Sequence, residues 1–257
     1  MGDDLLARLP RRALGAALVA HEQRWLPELA PTLPLPLPIP VPVRVGHPSA
    51  LYAWSWSIVP HFDGEPADRQ PGFDPDVVAT QLGGFFRALH RPAPPDAPRN
   101  PYRGVPLAAR TEVFEQRVAE LGAAVDAGAV REVWATALAA APPSGPPVWL
   151  HGDPHPANLL IADGTLAAVV DFGDLCAGDP ATDLAGAWML LPPAALPRFV
   201  AAYAGPDGLD PGLERRALGW AVVFGVLLLA IGLDDRPTYA PIGRRTLAHA
   251  VTHASIG

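Results

Sequence analysis

Two aspartate-containing loops joined by a predicted β-hairpin constrain the fold of this chain more than any other feature. The first loop reads His151-Gly-Asp-Pro-His-Pro-Ala-Asn158, and the second begins with Asp171-Phe-Gly-Asp174. The apolar residues between the loops, with a turn at Asp163-Gly164, predict two antiparallel strands. Because a hairpin brings its two ends together, the fold must place the two loops side by side.

The acidic and amide residues of these loops have the types and the spacing that phosphoryl transfer requires. That reaction needs a carboxylate to orient the acceptor hydroxyl, and oxygen ligands to hold Mg²⁺ against the phosphates. Asp153 and Asn158 have the separation of the protein-kinase D-x-x-x-x-N loop, and Asp171 begins a D-F-G sequence of the kind that binds metal in those enzymes. Turn formation and helix capping explain any one of these residues but not the whole set.

Two other interpretations of the same residues are weaker. His151 and His155 have the i, i+4 spacing of zinc ligands on a helix, but the intervening glycine and prolines prevent that helix. A metal-dependent hydrolase that uses the same acids is a more distant alternative. The spacing of the loops therefore favours phosphoryl transfer.

Hydrophobic periodicity predicts an α+β fold with a small strand-bearing front part and a larger, mostly helical back part. The front part has a helix over residues 12–30, with Glu22 inside its apolar stripe, and a half-buried strand over 52–59. Alternate residues of that strand, including Trp54 and Ile58, share one face. Further helices are predicted on either side of the hairpin, near residues 76–91, 111–126 and 129–141 and from about Pro180 onward.

Proline is unusually frequent, with 33 residues in a chain of 257. From Leu33 to Val43 proline occupies every second position, which requires an extended backbone, either polyproline II or an edge strand. Such a segment can bind a proline-recognition module. Its aliphatic residues instead favour packing along the surface of a domain.

The charge and the cysteine content exclude several classes of function. A formal net charge of −7 argues against a general nucleic-acid-binding protein and permits, without requiring, a cationic small substrate. The single cysteine allows no intrachain disulfide and favours a reducing cytoplasm. The N-terminal residues do not resemble a secretory signal, and the uncharged run over 217–233 is predicted to be a buried helix. We therefore expect a soluble, cytoplasmic protein that binds neither nucleic acid nor membrane.

The motifs H-G-D-x-H-P-x-N, D-F-G-D and G-D-P-x-x-D-L-A resemble the aminoglycoside phosphotransferase family, whose members are small-molecule kinases. Residues 22–31, the proline-rich segment and the W-S-W-S strand are similar to one bacterial branch of that family. The resemblance covers essentially the whole chain. It implies a protein-kinase-like two-lobe fold, with a truncated, small antiparallel-sheet N-lobe over 1–62 on the nucleotide-binding side. A large, mainly helical C-lobe over 63–257 would carry the central β-hairpin and the substrate site.

The resemblance also implies a mechanism. Asp153 is expected to be the catalytic base, and Asn158 and Asp171 are expected to hold Mg²⁺. The co-substrate is expected to be ATP or GTP, and the acceptor a hydroxyl group of a small molecule.

Further residues are expected to support the loops or bind the nucleotide. In the supporting set, His151 braces the catalytic loop, His155 bonds to its backbone, Asp183 anchors it from behind and Asp179 caps the following helix. The backbone of a hinge is expected to hold adenine, and its residues are Val59, Pro60, His61 and Phe62. Pro60 has no N–H to donate there.

A cation for the nucleotide phosphates must be an arginine, because all 19 basic residues are arginines. Kinases of the resembled fold pair a lysine of the third strand with a glutamate of the next helix. The candidate pair here is Arg8, in the strand-like run Leu5–Leu9, with Glu22. A carboxylate on an apolar stripe needs a cation, and a guanidinium stays charged and can reach phosphate. A purely structural ion pair is the alternative.

The glycine-rich loop that covers the phosphates in the resembled fold has no counterpart in this sequence. In the family two strands and that loop precede the lysine strand, whereas seven residues precede Arg8, and Gly2 resembles the turn into the third strand. Either the start is assigned too late or this is a natural short form. We expect the 257-residue form to be poorly ordered in its first ~60 residues and to be a poor catalyst, while the helical lobe folds normally.

Two functions remain open at this point. The first is a phosphotransferase that moves the γ-phosphoryl group of ATP or GTP to a small-molecule hydroxyl, which the intact acids favour. The second is a catalytically weak, pseudokinase-like protein that binds a nucleotide or a metabolite, which the missing loop favours. A set of acidic residues either attracts an amino sugar or forms an ordinary solvated surface: Glu112, Glu115, Glu120, Asp234 and Asp235.

Overall fold

A computed structural model of the protein describes residues 4–70 and 72–255. Within them the strands are β1 (Leu5–Arg8), β2 (Arg44–Gly46), β3 (Trp56–Pro60), β4 (Glu65–Pro66), β5 (Val148–Leu150), β6 (Leu159–Ala162), β7 (Thr165–Val169) and β8 (Cys176–Gly178). The helices are α1 (Ala13–Leu29), α2 (Pro75–Leu89), α3 (Thr111–Leu121), α4 (Ala127–Leu138), α5 (Ala181–Leu190), α6 (Leu196–Ala204), α7 (Pro211–Asp234) and α8 (Tyr239–Ala254). Small antiparallel sheets and a larger helical part confirm the predicted α+β class.

The front sheet is antiparallel, with β3 between β1 and β2. Helix α1 lies against this sheet, and the Gln23 side chain donates hydrogen bonds to the Trp56 carbonyl (2.8 Å) and the Ser57 hydroxyl (3.0 Å). The predicted helix over 12–30 is therefore confirmed to within one residue at each end. The turn expected at Gly2 lies outside the described residues.

The predicted strand over 52–59 is wrong in its start and in its buried face. Strand β3 begins only at Trp56, and it buries Ser57 and Val59 while Trp56 and Ile58 remain half-buried. The bulky apolar residues suggested the opposite face. Ser57 is tolerated inside because Gln23 satisfies its hydroxyl group, whereas an unpaired buried hydroxyl would be costly.

The proline-rich segment is extended and packs on the protein, as predicted. Leu37 and Ile39 are buried in the main hydrophobic core. The Pro38 carbonyl accepts a hydrogen bond from the Val169 N–H at 3.2 Å, and the Val43 N–H donates to the Ile58 carbonyl at 2.8 Å. The segment therefore bridges the front sheet and the hairpin strand β7.

The hairpin between the two loops forms as predicted. Strands β6 and β7 pair antiparallel, and both turn residues have left-handed backbone conformations, with φ of 49° at Asp163 and 75° at Gly164. Two successive residues of this kind make the tight turn that matches the twist of a hairpin. A separate pair, β5 with β8, leads into the first loop and out of the second. The two loops therefore meet at the ends of two short antiparallel ladders.

The helical part is built around α7, which packs against α4, α5 and α8. By length and composition α7 is apolar enough to cross a membrane, but 72% of its most apolar window is buried inside the protein. Trp220 and Phe224 on this helix are almost fully buried. The prediction of a buried core helix over 217–233 is confirmed.

Candidate active site

The first loop turns sharply directly after β5. Gly152 has φ of 86°, and a Cβ atom at this position would lie 2.3 Å from the Asp174 carbonyl oxygen. Only glycine fits both the backbone conformation and the close approach of the second loop. At the end of the loop, the His155 Nδ1 accepts a hydrogen bond from the Ala157 N–H at 3.0 Å. These contacts fix the backbone on both sides of Asp153.

Asp183 holds the first loop from behind. Its side chain is fully buried, and its two carboxylate oxygens accept hydrogen bonds from the backbone N–H groups of His151 (2.7 Å) and Gly152 (2.9 Å). The His90 Nε2 lies 3.2 Å from the same carboxylate, and the His90 Nδ1 lies 2.9 Å from the Tyr203 hydroxyl. The helix α5, which carries Asp183 in its first turn, therefore determines where the loop lies.

Replacement of Asp183 by Asn is expected to lower the free energy of unfolding by about 2 kcal/mol. An amide keeps one acceptor oxygen but turns its NH₂ group toward the second backbone N–H, which is left buried and unpaired. Urea denaturation measures the change. The control is Asp210→Asn, because Asp210 caps α7 at an exposed position where Asp and Asn are nearly equivalent. Equal losses in the two variants would contradict the anchoring role.

Asp153 is partly accessible, with 31% of its side chain exposed. Its Oδ2 atom lies 3.3 Å from the Asn158 Nδ2, which also donates to the Asp153 carbonyl at 3.0 Å. Burial raises the pKa of Asp153, and the nearby Arg103 guanidinium acts in the opposite direction. The site thus holds a carboxylate that solvent and small molecules can reach.

Asp171, the first residue of the second loop, has a left-handed backbone, with φ of 62° and ψ of 70°. This conformation costs energy for a residue with a side chain and occurs often at functional sites. The preceding Val170 donates its N–H to the Asn158 carbonyl at 2.9 Å, so the two proposed metal ligands lie on adjacent backbone segments. The His151 ring packs on the buried Phe172 at 4.6 Å and its Nε2 lies 2.9 Å from the Val170 carbonyl.

Arg8 connects the front sheet to the second loop. Its Nε is 2.6 Å from Glu22 Oε2 and its Nη2 is 2.6 Å from Asp171 Oδ1. Glu22 is 2% exposed. Burial, offset in part by Arg8, raises the pKa of Glu22 to about 7. One arginine therefore pairs with two carboxylates from different parts of the fold.

The expected hinge consists of the last two residues of β3 and the two residues after it, and few of its backbone donors are unoccupied. Val59 lies inside β3, opposite Leu6 of β1, and Pro60 has no N–H. The His61 N–H donates to the Asp4 carbonyl at 2.9 Å. Among the described residues no acceptor reaches the Phe62 N–H. Of the four hinge residues, Phe62 thus has the N–H group that a nucleotide base can use.

Asp179 forms a buried ion pair that the sequence did not predict. Its carboxylate lies 2.7 Å from the Arg216 Nε and also accepts from the Ala181 N–H at 3.1 Å. Asp179 therefore ties the start of α5 to α7 as well as capping the backbone. No local signal marks Arg216, because the pair joins residues far apart in the chain.

The segment between α2 and α3 contributes two polar residues to the site. The sequence predicts this segment only as a proline-rich break between helices. Asn100 Nδ2 donates to Asp174 Oδ1 at 2.6 Å, and Arg103 Nη2 lies 3.8 Å from Asp153 Oδ1. Their only signal in the sequence is that they are polar side chains in a segment whose prolines restrict the backbone.

Some of the surface acids that could attract an amino sugar form ion pairs with arginines. Glu115 pairs with Arg131 at 2.7 Å and Glu120 pairs with Arg117 at 2.6 Å, all at exposed positions. Exposed pairs of this kind are typical of a solvated helix surface.

A small antiparallel sheet, a larger helical part and two acidic loops where they meet define a protein-kinase-like phosphotransferase fold. The sequence model of the phosphotransferase enzyme family, APH, matches residues 2–218, and the chain belongs to that family. No protein of curated function matches the sequence.

Solved structures of phosphotransferases share the fold over nearly the whole chain. The GDP and kanamycin complex of an APH(2″) enzyme is 19% identical, with a TM-score of 0.67, over 97% of this chain and 87% of that one. The apoenzyme of a macrolide 2′-phosphotransferase from Brachybacterium faecium is 24% identical, with a TM-score of 0.58, over 95% and 83%. The ADP-bound aminoglycoside phosphotransferase APH(2″)-Ib is 17% identical, with a TM-score of 0.57, over 98% and 91%. At these identities the similarity establishes the two-lobe fold.

Proposed function

We propose that the protein is a small-molecule kinase that transfers the γ-phosphoryl group of ATP or GTP to a hydroxyl group of an acceptor. The observation that carries the proposal is one group of side chains: Asp153 beside Asn158, and Arg8 between Glu22 and Asp171. Similar structures hold GDP, ADP and kanamycin, which supports a nucleotide co-substrate and a hydroxyl-bearing acceptor.

Asp153 is the proposed base. The acceptor oxygen attacks the γ-phosphorus and gives its proton to the Asp153 carboxylate, while the bond between the γ-phosphorus and the bridging oxygen breaks and ADP or GDP leaves. A pKa raised by burial makes the carboxylate a better proton acceptor, while the neighbouring Arg103 favours its ionised form. Asn158 holds the carboxylate in place, so the chemistry depends mainly on positioning.

Asn158 and Asp171 have the donor atoms that Mg²⁺ prefers. The Asn158 amide nitrogen is committed to Asp153, and its amide oxygen has no donor among the described residues. The Asp171 side chain is about half exposed, at 47%. These residues therefore fit a magnesium ion, which when bound would neutralise charge on the transferring phosphoryl group.

Arg8 is proposed to bind the nucleotide phosphates from the side of the front sheet. Its guanidinium is held by Glu22, and 28% of its side chain is exposed. Burial lowers the pKa of Arg8, but the two neighbouring carboxylates outweigh burial and raise it overall, so the cation is permanent.

A second candidate function is nucleotide binding without turnover, and one contact favours it. The Arg8–Asp171 ion pair occupies one of the two carboxylate oxygens with which Asp171 could bind Mg²⁺. Nucleotide titration with and without Mg²⁺, together with ADP release in the presence of a panel of small hydroxyl compounds, separates the two candidates. Binding with acceptor-dependent ADP release supports the kinase; binding without release under any acceptor supports the second candidate.

Asn158→Ala and Asp171→Ala are each expected to weaken Mg²⁺-dependent nucleotide binding by at least about tenfold, because both act through the metal. The affinity measured without Mg²⁺ should change little. Calorimetric titration of nucleotide in both conditions makes the comparison, and Asp163→Asn, at the exposed hairpin turn, is the matched control. A wild-type protein whose nucleotide affinity ignores Mg²⁺ would show that the metal roles are wrong.

A further inference from the structure

Arg103, in the segment between α2 and α3, lies beside the proposed base, and Arg110 of the same segment is close enough to Arg103 for their charges to interact. Arg103 Nη2 is 3.8 Å from Asp153 Oδ1, too far for a hydrogen bond. Arg110, in the short helical turn Leu107–Arg110, is only 7% exposed, and its strongest charged neighbour is Arg103. Within residues 4–70 and 72–255 no carboxylate forms an ion pair with Arg110.

The two guanidinium groups use their flat faces but leave most of their N–H groups unused. Arg103 lies over the Phe224 ring at 4.9 Å and Arg110 lies over the Tyr102 ring at 5.5 Å. The Nε atoms of both are buried and have no acceptor among the described residues. Arg103 makes a single long contact, from Nη1 to the Tyr102 carbonyl at 3.4 Å. Buried donors without acceptors are rare in folded proteins because each one costs free energy.

The like charges add to this cost. Burial, and then the positive charge of Arg103, lower the pKa of Arg110. Two adjacent guanidinium groups with unused donors have what an anion requires: positive charge and a set of N–H groups in planar geometry. An anion bound between them would satisfy the donors and remove the repulsion.

The backbone that carries these arginines is fixed rather than free. The Gly104 N–H donates to the Thr182 hydroxyl at 3.1 Å, and its carbonyl accepts from the Asp179 N–H at 3.2 Å. A Cβ atom on Gly178 would lie 2.4 Å from the Gly104 Cα, so glycine at both positions permits the contact. The segment is therefore held directly against the start of α5, and the arginines need little rearrangement to bind a ligand.

Arg103 contacts the proposed base, whereas Arg8 contacts the second loop on the proposed nucleotide side. Asn158 faces the Oδ2 atom of Asp153, whereas Arg103 faces the Oδ1 atom. The nucleotide side has its own cation, since Arg8 binds Asp171. Because the nucleotide side already has Arg8, an anion at Arg103 is assigned to the acceptor.

We propose that Arg103 and Arg110 bind an anionic group of the acceptor, a carboxylate or a phosphate ester, so that the substrate is a hydroxylated acid rather than a cationic amino sugar. The inference rests on the proposed function, because it takes Asp153 as the group that meets the acceptor hydroxyl. It departs from the cationic substrate that the net charge of the whole chain permits, because the charge nearest the base is positive.

The test measures binding separately from turnover. Three probes with the same carbon skeleton are titrated into the protein: glycerate, glycerol and 3-amino-1,2-propanediol, which carry a negative, a neutral and a positive group. The Nε–H signals of arginine side chains in ¹⁵N NMR spectra report where binding occurs, with Arg103→Gln and Arg110→Gln used for assignment. We expect glycerate to shift both signals, and each variant to raise its Kd at least about tenfold. Arg131→Gln, at an exposed arginine of α4, should leave the Kd unchanged.

The outcomes separate the possible sources of the anion. Saturable shifts with glycerate alone, which persist when a non-hydrolysable ATP analogue is bound, support the proposal. Loss of those shifts on addition of the analogue would assign the arginines to the nucleotide phosphates and overturn it. Equal binding of all three probes, or no response to glycerate, would overturn it as well. The wild-type comparison needs no variant to fold, and failure of the analogue to bind would count against the kinase proposal without changing the anion result.

Discussion

Replacement of Asp153 by Asn is expected to lower kcat for phosphoryl transfer by roughly 10²–10⁴-fold while leaving nucleotide affinity nearly unchanged. The amide is similar in size and can still contact Asn158, so the loop geometry is kept, but it cannot take the acceptor proton. The measurement is ADP release with the best acceptor from the hydroxyl panel, combined with a nucleotide titration of the same preparation.

The control for this experiment is Asp163→Asn. Asp163 is an exposed carboxylate at the far end of the same hairpin, and asparagine tolerates its left-handed backbone. It should retain wild-type kcat. Unaltered kcat in the Asp153→Asn protein would refute the base assignment, whereas a large loss of nucleotide affinity would indicate that Asp153 acts on the metal or the phosphates instead.

Features set by local sequence were predicted well. The hairpin turn at Asp163-Gly164 depends only on two residues that accept positive φ, and the extended backbone of residues 33–43 follows from proline itself. The periodicity of α1 located both the helix and the buried Glu22. The resemblance to kinases pointed to Arg8 as the partner of Glu22, and the high cost of a buried carboxylate without a cation supported that pairing.

Features that depend on which elements meet were not predictable in the same way. The buried face of β3 is set by α1 and the neighbouring strands, so Ser57 turns inward against the hydrophobic pattern. Arg103 and Asn100 reach the loops from a segment far away in sequence; the contact of Asn100 with Asp174 spans 74 residues. A single sequence contains no signal for such contacts, because they are created by the packing of α2, α5 and β8 around the loops.

Arg8→Ala is expected to lower the free energy of unfolding by about 3 kcal/mol at pH 8 and to weaken nucleotide binding. The variant leaves Glu22, which is 2% exposed, without its cation. The double variant Arg8→Ala/Glu22→Gln should recover most of the stability, because no buried charge remains, but not the nucleotide binding. The control is Arg24→Ala, which removes an exposed arginine of α1 that pairs with Glu28. It should lower the free energy of unfolding by less than about 0.5 kcal/mol. If Arg8→Ala binds nucleotide like the wild type, the ion pair is structural only.

The pH dependence gives an independent check on the same pair. The pKa of Glu22 in the folded protein is about 7, against 4.5 for the ordinary side chain, so between these values the folded state binds more protons than the unfolded state. The contribution of Glu22 to stability is therefore fully present below pH 4.5 and is lost as the pH rises through 7. The Glu22→Gln variant has no titrating group at this position. The difference between its free energy of unfolding and that of the wild type should therefore increase by about 2 kcal/mol, in favour of the variant, between pH 5.5 and pH 8. Urea denaturation at the two pH values measures this difference. A difference that stays constant would mean that Arg8 keeps Glu22 ionised throughout, and would contradict the raised pKa.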